Sequence, residues 1–211
     1  MNSKNYQKHI RKLEVEEFPE LAEDNYFVNM EHDGNLLFTP NHQFDPLFPL
    51  LTEEILTDLR NNRNNLLSVG CGPAYLERLL TRQLGLTTEQ ITLTDVSKNH
   101  VPAGFEFYQF DMFADWPKFQ QPFDYIIFPE SMGLINSRSN DSSQRKDDLY
   151  HIIANALDCM DEVGEIRMNG HYQLSKNTSC VSHKLSQEYH GIKVSWHNLQ
   201  LLTVTKGKQR N

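Results

Sequence analysis

Hydrophobic positions follow two rhythms along this chain, and the rhythm changes near residue 64. Beyond that point, short apolar runs alternate with segments of helical spacing. Residues 65–69 (NLLSV) are an apolar run ending at Gly70, as a buried strand before a turn does. Residues 75–84 put Leu76, Leu79, Leu80 and Leu84 on one helical face, and Gly85 stops the helix. Residues 91–96 (ITLTDV), 105–110 (FEFYQF) and 123–128 (FDYIIF) predict three more strands. Residues 147–160 carry Leu149, Ile152, Ile153, Ala156, Leu157 and Met160 on one side of a helix. A fifth strand follows the turn at Gly164 over 165–168. A helix is expected over 179–189, and 192–196 with 199–204 predict a closing hairpin around His197 and Asn198.

Strand and helix in alternation, closed by an antiparallel pair, predict an α/β fold. The expected architecture is a doubly wound, mostly parallel seven-stranded sheet with helices on both faces and a C-terminal antiparallel hairpin. Only about eight residues separate Val96 from Phe105, whereas a parallel crossover usually takes a dozen or more. The helix after the second strand is therefore expected to be very short or missing. Residues 1–63 read differently. Segments 6–18 and 49–60 predict helices, the second opening near Pro49 with Thr52 as a candidate N-cap. Between them, 25–46 is rich in aromatics and turn residues. Residues 1–63 are thus expected to be an N-terminal helical extension and substrate lid on a domain spanning 64–211.

Composition narrows the class. The chain has 211 residues, a formal net charge of −8, 38% hydrophobic and 23% charged residues, which fits a soluble globular protein. No run approaches the roughly 18 apolar residues of a membrane span. The first residues are polar and lack the apolar stretch of a signal peptide. Cys71, Cys159 and Cys180 are odd in number and far apart, so they are expected to be reduced thiols in a cytoplasmic protein, with no cysteine zinc cage. No HExxH or calcium-loop pattern occurs, so no metal is expected. Residues 166–211 hold seven basic side chains against one acidic, and the rest of the chain is acidic. Most of the surface would repel a polyanion, which argues against a nucleic-acid partner. A neutral or cationic small molecule fits better. A homodimer is the assembly left open.

The stretch that carries chemistry is Leu67-Ser68-Val69-Gly70-Cys71-Gly72-Pro73-Ala74-Tyr75. A strand ends, two glycines follow one residue apart, and a helix begins. Glycines there let the backbone turn sharply and approach a ligand closely, and the helix N-terminus offers free N–H groups. A dinucleotide fingerprint would need glycine at position 75, where Tyr75 stands.

The G-x-G-x-A spacing resembles motif I of the class I S-adenosylmethionine-dependent methyltransferases, and the resemblance runs from about residue 64 to 206. It implies S-adenosylmethionine as cofactor, with Ser68, Gly70, Cys71, Gly72 and Ala74 around its methionine part. Ser68 stands where the family usually has an acidic residue, and Ala74 where a third glycine is usual. Asp95 lies 23 residues after Gly72, at the end of ITLTD. The resemblance implies that it accepts hydrogen bonds from the ribose hydroxyls, with Val96 beside it. Asp111 and Met112 stand where the family receives the adenine amino group and packs its ring. Residues 123–130 match the fourth strand, whose end, Pro129 and Glu130, faces cofactor and substrate. The segment is not the Asn-Pro-Pro-Tyr of amino-methylating enzymes acting on nucleobases.

The implied reaction is in-line methyl transfer to a small molecule. Where the acceptor must lose a proton, Glu130, His171 and His42 are the candidate bases, in that order. Residues 26–48 bring Tyr26, Phe27, Phe38, His42, Phe44 and Phe48 to the acceptor side, or pack the extension onto the sheet. Residues 137–144 read as a lid or a loop. Two other readings stay open. One is a catalytically inactive binding or scaffold protein of methyltransferase fold. The other is a different Rossmann-like enzyme, an aminopropyl transferase or a nicotinamide oxidoreductase.

Overall fold

A computed structural model of the chain describes residues 29–32, 35–38, 50–98, 101–129, 132–169, 178–197 and 201–207. An antiparallel pair, β1 (Asn29–His32) and β2 (Asn35–Phe38), stands apart from the main sheet. The rest runs α1 (Glu53–Asn62), β3 (Leu66–Val69), α2 (Tyr75–Arg82), β4 (Ile91–Asp95), β5 (Glu106–Gln109), β6 (Phe123–Phe128) and α3 (Met132–Arg138). Then come α4 (Ser142–Cys159), β7 (Met160–Asn169), α5 (Thr178–Glu188), β8 (Ile192–His197) and β9 (Leu201–Lys206). The seven-stranded sheet has the order β5-β4-β3-β6-β7-β9-β8. Pairings from β5 through β7 are parallel, and β9 is antiparallel to both of its neighbours. This is the α/β architecture that the hydrophobic pattern predicts.

Strand parity builds two layers. On β3, Leu66 faces α1 and α2 and packs with Ile55, Leu56, Leu59, Leu76, Leu79 and Leu80. Leu67 and Val69 face the other way, against Ile152, Ile153, Ala156 and Leu157 of α4 and Val181 and Leu185 of α5. Each such side chain taken fully out of water contributes about 1.5–3 kcal/mol. From β3 the chain winds to β4 and β5 on one side, then crosses to β6 on the other. Strand order therefore reverses between β3 and β6, and ligands of open α/β sheets bind outside the strand ends at such a point.

Several boundaries move. The helix expected over 49–60 begins at Glu53, where Thr52 caps it by accepting from the Ile55 N–H at 3.3 Å. The helix expected from 147 begins at Ser142, capped by Asp141, which accepts from the Ser143 N–H at 2.8 Å. Residues 137–144 are thus the end of α3, a short turn and the start of α4, not a loop or lid. The capping aspartate carries the helix through the charged run 144–148. Strand β7 begins at Met160 and runs through Gly164, where a turn is expected. Its pairing with β6 is irregular between Phe123 and Tyr125. Strands β4 and β5 pair in parallel with no helix between them among the described residues, as the short connection predicts. In the N-terminal extension, the β1–β2 hairpin occupies part of the segment between the two expected helices. The helix expected over 6–18 lies outside the described residues. Among the described residues, no helix is long and apolar enough to cross a membrane.

Candidate cofactor site at the glycine loop

The loop after β3 is built by left-handed backbone. Gly70 has φ 71°, Gly72 has φ 52° and Ala74 has φ 56°. A side chain at Gly72 would meet no heavy atom within 4 Å, so the space over this peptide is open. Only the backbone conformation demands glycine here. Ala74 carries a methyl group in the same region of backbone space, and it is wholly buried at the N-cap of α2.

Strand β4 ties the loop down. The carbonyl of Thr94 accepts from the N–H groups of Gly70 at 2.9 Å and Cys71 at 3.0 Å. Asp95 Oδ2 accepts from the Gly72 N–H at 2.9 Å, and its Oδ1 accepts from the Ser97 N–H at 3.0 Å. Each carboxylate oxygen can accept more than one hydrogen bond, so the Asp95 rim keeps acceptor capacity for hydroxyl groups. Val96 follows, 44% exposed beside this carboxylate. An apolar side chain left open at a strand end is available to a flat ligand.

The next strand end is anchored from below. The Phe110 N–H donates to the Asp95 carbonyl at 3.1 Å, which brings the end of β5 alongside the end of β4. Asp111 is exposed and accepts from the Phe113 N–H at 3.0 Å. Met112 is buried in the apolar cluster beneath the sheet. Trp116 holds this segment in place. Its Nε1 donates to the Met112 carbonyl at 3.0 Å, and its ring packs on Phe128 at 6.0 Å between centroids. The Arg138 guanidinium sits 4.1 Å over the Phe113 ring, joining α3 to the same segment. Pro129 stands half-buried at the end of β6.

The candidate residues Ser68, Gly70, Cys71, Gly72, Ala74, Asp95, Val96, Asp111, Met112 and Pro129 thus lie along one edge of the sheet, at or beside the carboxyl ends of β3, β4, β5 and β6. Within that group, Ser68 is wholly buried rather than at the rim, and Met112 points into the core. The candidate bases Glu130, His171 and His42 lie outside the described residues. Cys71 is buried, and burial, aided by the carboxylates of Glu77 and Asp95, pushes its thiol up far beyond the ordinary range. It is no nucleophile.

The sequence reading missed Glu77. This carboxylate is 1% exposed, on the buried arc of α2, and it accepts a hydrogen bond from the Ser68 hydroxyl. Burial, with the Asp95 charge adding to it, pushes Glu77 up to about 7 although the Ser68 hydrogen bond works the other way. The signal was present. Ser68 shares the parity of Leu66, which faces α2, and Glu77 lies three residues before Leu80 on the apolar face.

No protein-family model matches the chain, and no curated protein sequence matches it. Solved structures do. The plantazolicin methyltransferase BpumL, in complex with a triazolic desmethylPZN analog and SAH, is similar with a TM-score of 0.56 and 12% identity. That alignment covers 96% of this chain and 100% of that one. DesVI of Streptomyces venezuelae aligns with a TM-score of 0.53 and 11% identity, over 72% of this chain and 89% of that one. The plantazolicin methyltransferase BamL aligns with a TM-score of 0.50 and 12% identity, over 72% and 80%. With this strand order, glycine loop and set of structural neighbours, the chain has the class I S-adenosylmethionine-dependent methyltransferase fold.

Proposed function

We propose that the protein is a methyltransferase that uses S-adenosylmethionine to methylate a small molecule. The observation that carries this reading is the bond from the Gly72 N–H to Asp95 Oδ2. It fixes an open two-glycine loop against an acidic strand end where the sheet reverses its winding. The residues present fit the cofactor. Gly70, Cys71, Gly72 and Ala74 would wrap its methionine part, and Asp95 would receive the ribose hydroxyls. Val96 would stand beside the ribose, Asp111 would receive the adenine amino group, and Pro129 would face cofactor and substrate, whereas Met112 points into the core and supports this rim from beneath. Two of the similar structures, BpumL and BamL, are complexes with SAH, which supports the same choice of cofactor here.

When bound, the cofactor supplies an activated methyl group. The chain's own work is positional. It holds donor and acceptor in line and keeps water out, and such orientation supplies much of the acceleration in transfers of this kind. A base is needed only where the acceptor loses a proton, and Glu130, His171 and His42 remain the proposed candidates, with residues 1–63 as the substrate lid. The cytoplasm is the compartment this reading fits.

Calorimetric titration with S-adenosylmethionine, S-adenosylhomocysteine and NADH tests the proposal. The expected result is binding of both sulfur compounds, lost in Asp95→Ala, and no binding of NADH. Binding of NADH alone would move the protein to the oxidoreductases. Binding of none would turn attention to protein partners. Cofactor binding without turnover on any acceptor would leave a binding protein of this fold.

A further inference from the structure

Among the described residues, three buried side-chain polar atoms have no hydrogen-bond partner: Arg145 Nε, Asp148 Oδ2 and Trp196 Nε1. All three belong to the layer of α4 and α5, at its carboxyl end. Helix α4 starts beyond the end of β6 and finishes where β7 begins, so its first turns stand at the strand ends. Strand β8 runs parallel to β7, since both are antiparallel to β9, so Trp196 also lies near a carboxyl end.

Asp148 is 9% exposed and shares the buried face of α4 with Leu149 and Ile152. It lies one helical turn, about 6 Å, nearer the strand ends than Ile152. Ile152 packs in the cluster that holds Ile135 of α3 and Val69, Phe128 and Met168, which stand at or next to the ends of β3, β6 and β7. The carboxylate therefore enters the layer at the level of the strand ends, beside α3. Its Oδ1 accepts from Gln144 Nε2 at 2.8 Å, which leaves Oδ2 unused. Arg145 donates from Nη1 to the Ser139 carbonyl at 2.7 Å, which leaves Nε unused. A buried acceptor and a buried donor without partners cost stability, and native cores keep few of them. In the other layer the buried carboxylate of Glu77 is, by contrast, hydrogen-bonded to Ser68.

Resting on the methyltransferase reading above, we propose that Asp148 and Arg145 are the specificity-determining residues of the acceptor site, and that they take a neutral group which both donates and accepts, an amide or a hydroxyl. In that reading the cofactor occupies the glycine loop and the ends of β4 and β5, which leaves the ends of β6 and β7 to the acceptor. The acceptor's N–H or O–H donates to Asp148 Oδ2, and its oxygen accepts from Arg145 Nε. Carboxylate and guanidinium stand three residues apart on one helix and offset each other's charge, so neither an ammonium nor a carboxylate is favoured.

The test titrates the full chain, saturated with S-adenosylhomocysteine, with small probes and follows backbone amide NMR shifts. Benzamide and benzyl alcohol both donate and accept, acetophenone only accepts, and benzoate is charged. Benzamide or benzyl alcohol is expected to bind about fivefold or more tightly than acetophenone and benzoate, and to shift the signals of the first two turns of α4. Asp148→Leu should bring the probes within about twofold of one another and leave S-adenosylhomocysteine binding within about twofold of the parent. Its urea midpoint should match or exceed the parent's, because an unpartnered buried acceptor has been removed. A preference that survives in Asp148→Leu overturns the proposal, as does a parent that binds acetophenone or benzoate as tightly as the other two. A lowered urea midpoint in both Asp148→Leu and Asp148→Asn means that the carboxylate holds the fold, and overturns it as well. Should Asp148→Leu fail to fold, the parent's preference among the probes still decides. No binding of S-adenosylhomocysteine removes the methyltransferase reading and this inference with it, whereas its binding without a probe preference overturns this inference alone.

Discussion

The backbone N–H of Gly72 donates to Asp95 Oδ2 at 2.9 Å, across 23 positions of sequence. The loop is therefore held to β4 by the protein's own hydrogen bonds. The same carboxylate accepts from Ser97 at 3.0 Å, so it closes the turn after β4 as well. Asp95→Ala is expected to cost about 2 kcal/mol of stability, since two N–H donors lose a charged acceptor. Asp95→Asn keeps one acceptor oxygen and should cost less. Urea unfolding checks the order, and an alanine variant as stable as the parent would contradict it.

Glu77 makes the stability of the protein depend on pH in an uncommon direction. Its carboxyl is pushed up from an ordinary value of 4.5 to about 7, chiefly by burial. Between those values the native state holds a proton that the unfolded state has lost. The contribution is full below pH 4.5, falls as pH rises, and is gone above 7. Its size is about 3 kcal/mol. Glu77→Gln should remove this slope, so the difference in unfolding free energy between parent and variant should itself change with pH. Denaturation of both at pH 5 and pH 8 measures it, and parallel behaviour would refute it.

Asp58 on α1 is a junction between layers. Its Oδ2 accepts from the Tyr125 hydroxyl at 2.6 Å and from Asn64 Nδ2 at 2.7 Å. Burial and the Asp58 carboxylate keep the Tyr125 phenol protonated well beyond its usual range. Asp58→Ala strands these two part-buried donors, and the exposed Asn62 Nδ2 that donates to Oδ1 as well, and should cost about 2 kcal/mol, whereas Tyr125→Phe should cost about 1 kcal/mol. A double-mutant cycle should return a coupling above about 0.5 kcal/mol, and additive effects would show the bond contributes nothing.

Gly164 lies where β7 passes β6 irregularly. A Cβ there would sit 2.6 Å from the Asp124 carbonyl oxygen and 2.8 Å from Met160 Cγ. The carbonyl belongs to backbone and cannot swing aside, so Gly164→Ala should cost about 1–3 kcal/mol. Thermal unfolding checks this, and an unchanged midpoint would mean that β6 shifts freely.

Much of the scaffold was legible because its causes are local. Leu76, Leu79 and Leu80 repeat at helical spacing whatever they pack against, and NLLSV before Gly70 reads as a strand ending in a turn. The limits of α4 were less so. Its apolar face begins at Leu149, but Asp141 starts the helix two turns earlier, and that cap works only when the preceding turn presents it. Gly164 was misread for a related reason, since a glycine within a strand looks like a turn until the neighbouring strand's carbonyl is known. The β1–β2 hairpin escaped because four-residue strands carry too short a pattern to stand out.

For the site, the sequence by itself determined the glycine loop, the acidic strand ends at Asp95 and Asp111, and the order in which they follow one another. Turn chemistry and strand periodicity are short-range, so they survive being read one segment at a time. Only the tertiary structure decided that Asp95 grips Gly72, that Met112 turns into the core, and that the charge near Ser68 comes from Glu77. Those facts depend on the register of β3 with β4 and on how α2 docks over β3. Register and docking are set by the collective packing of both layers, which no single segment encodes.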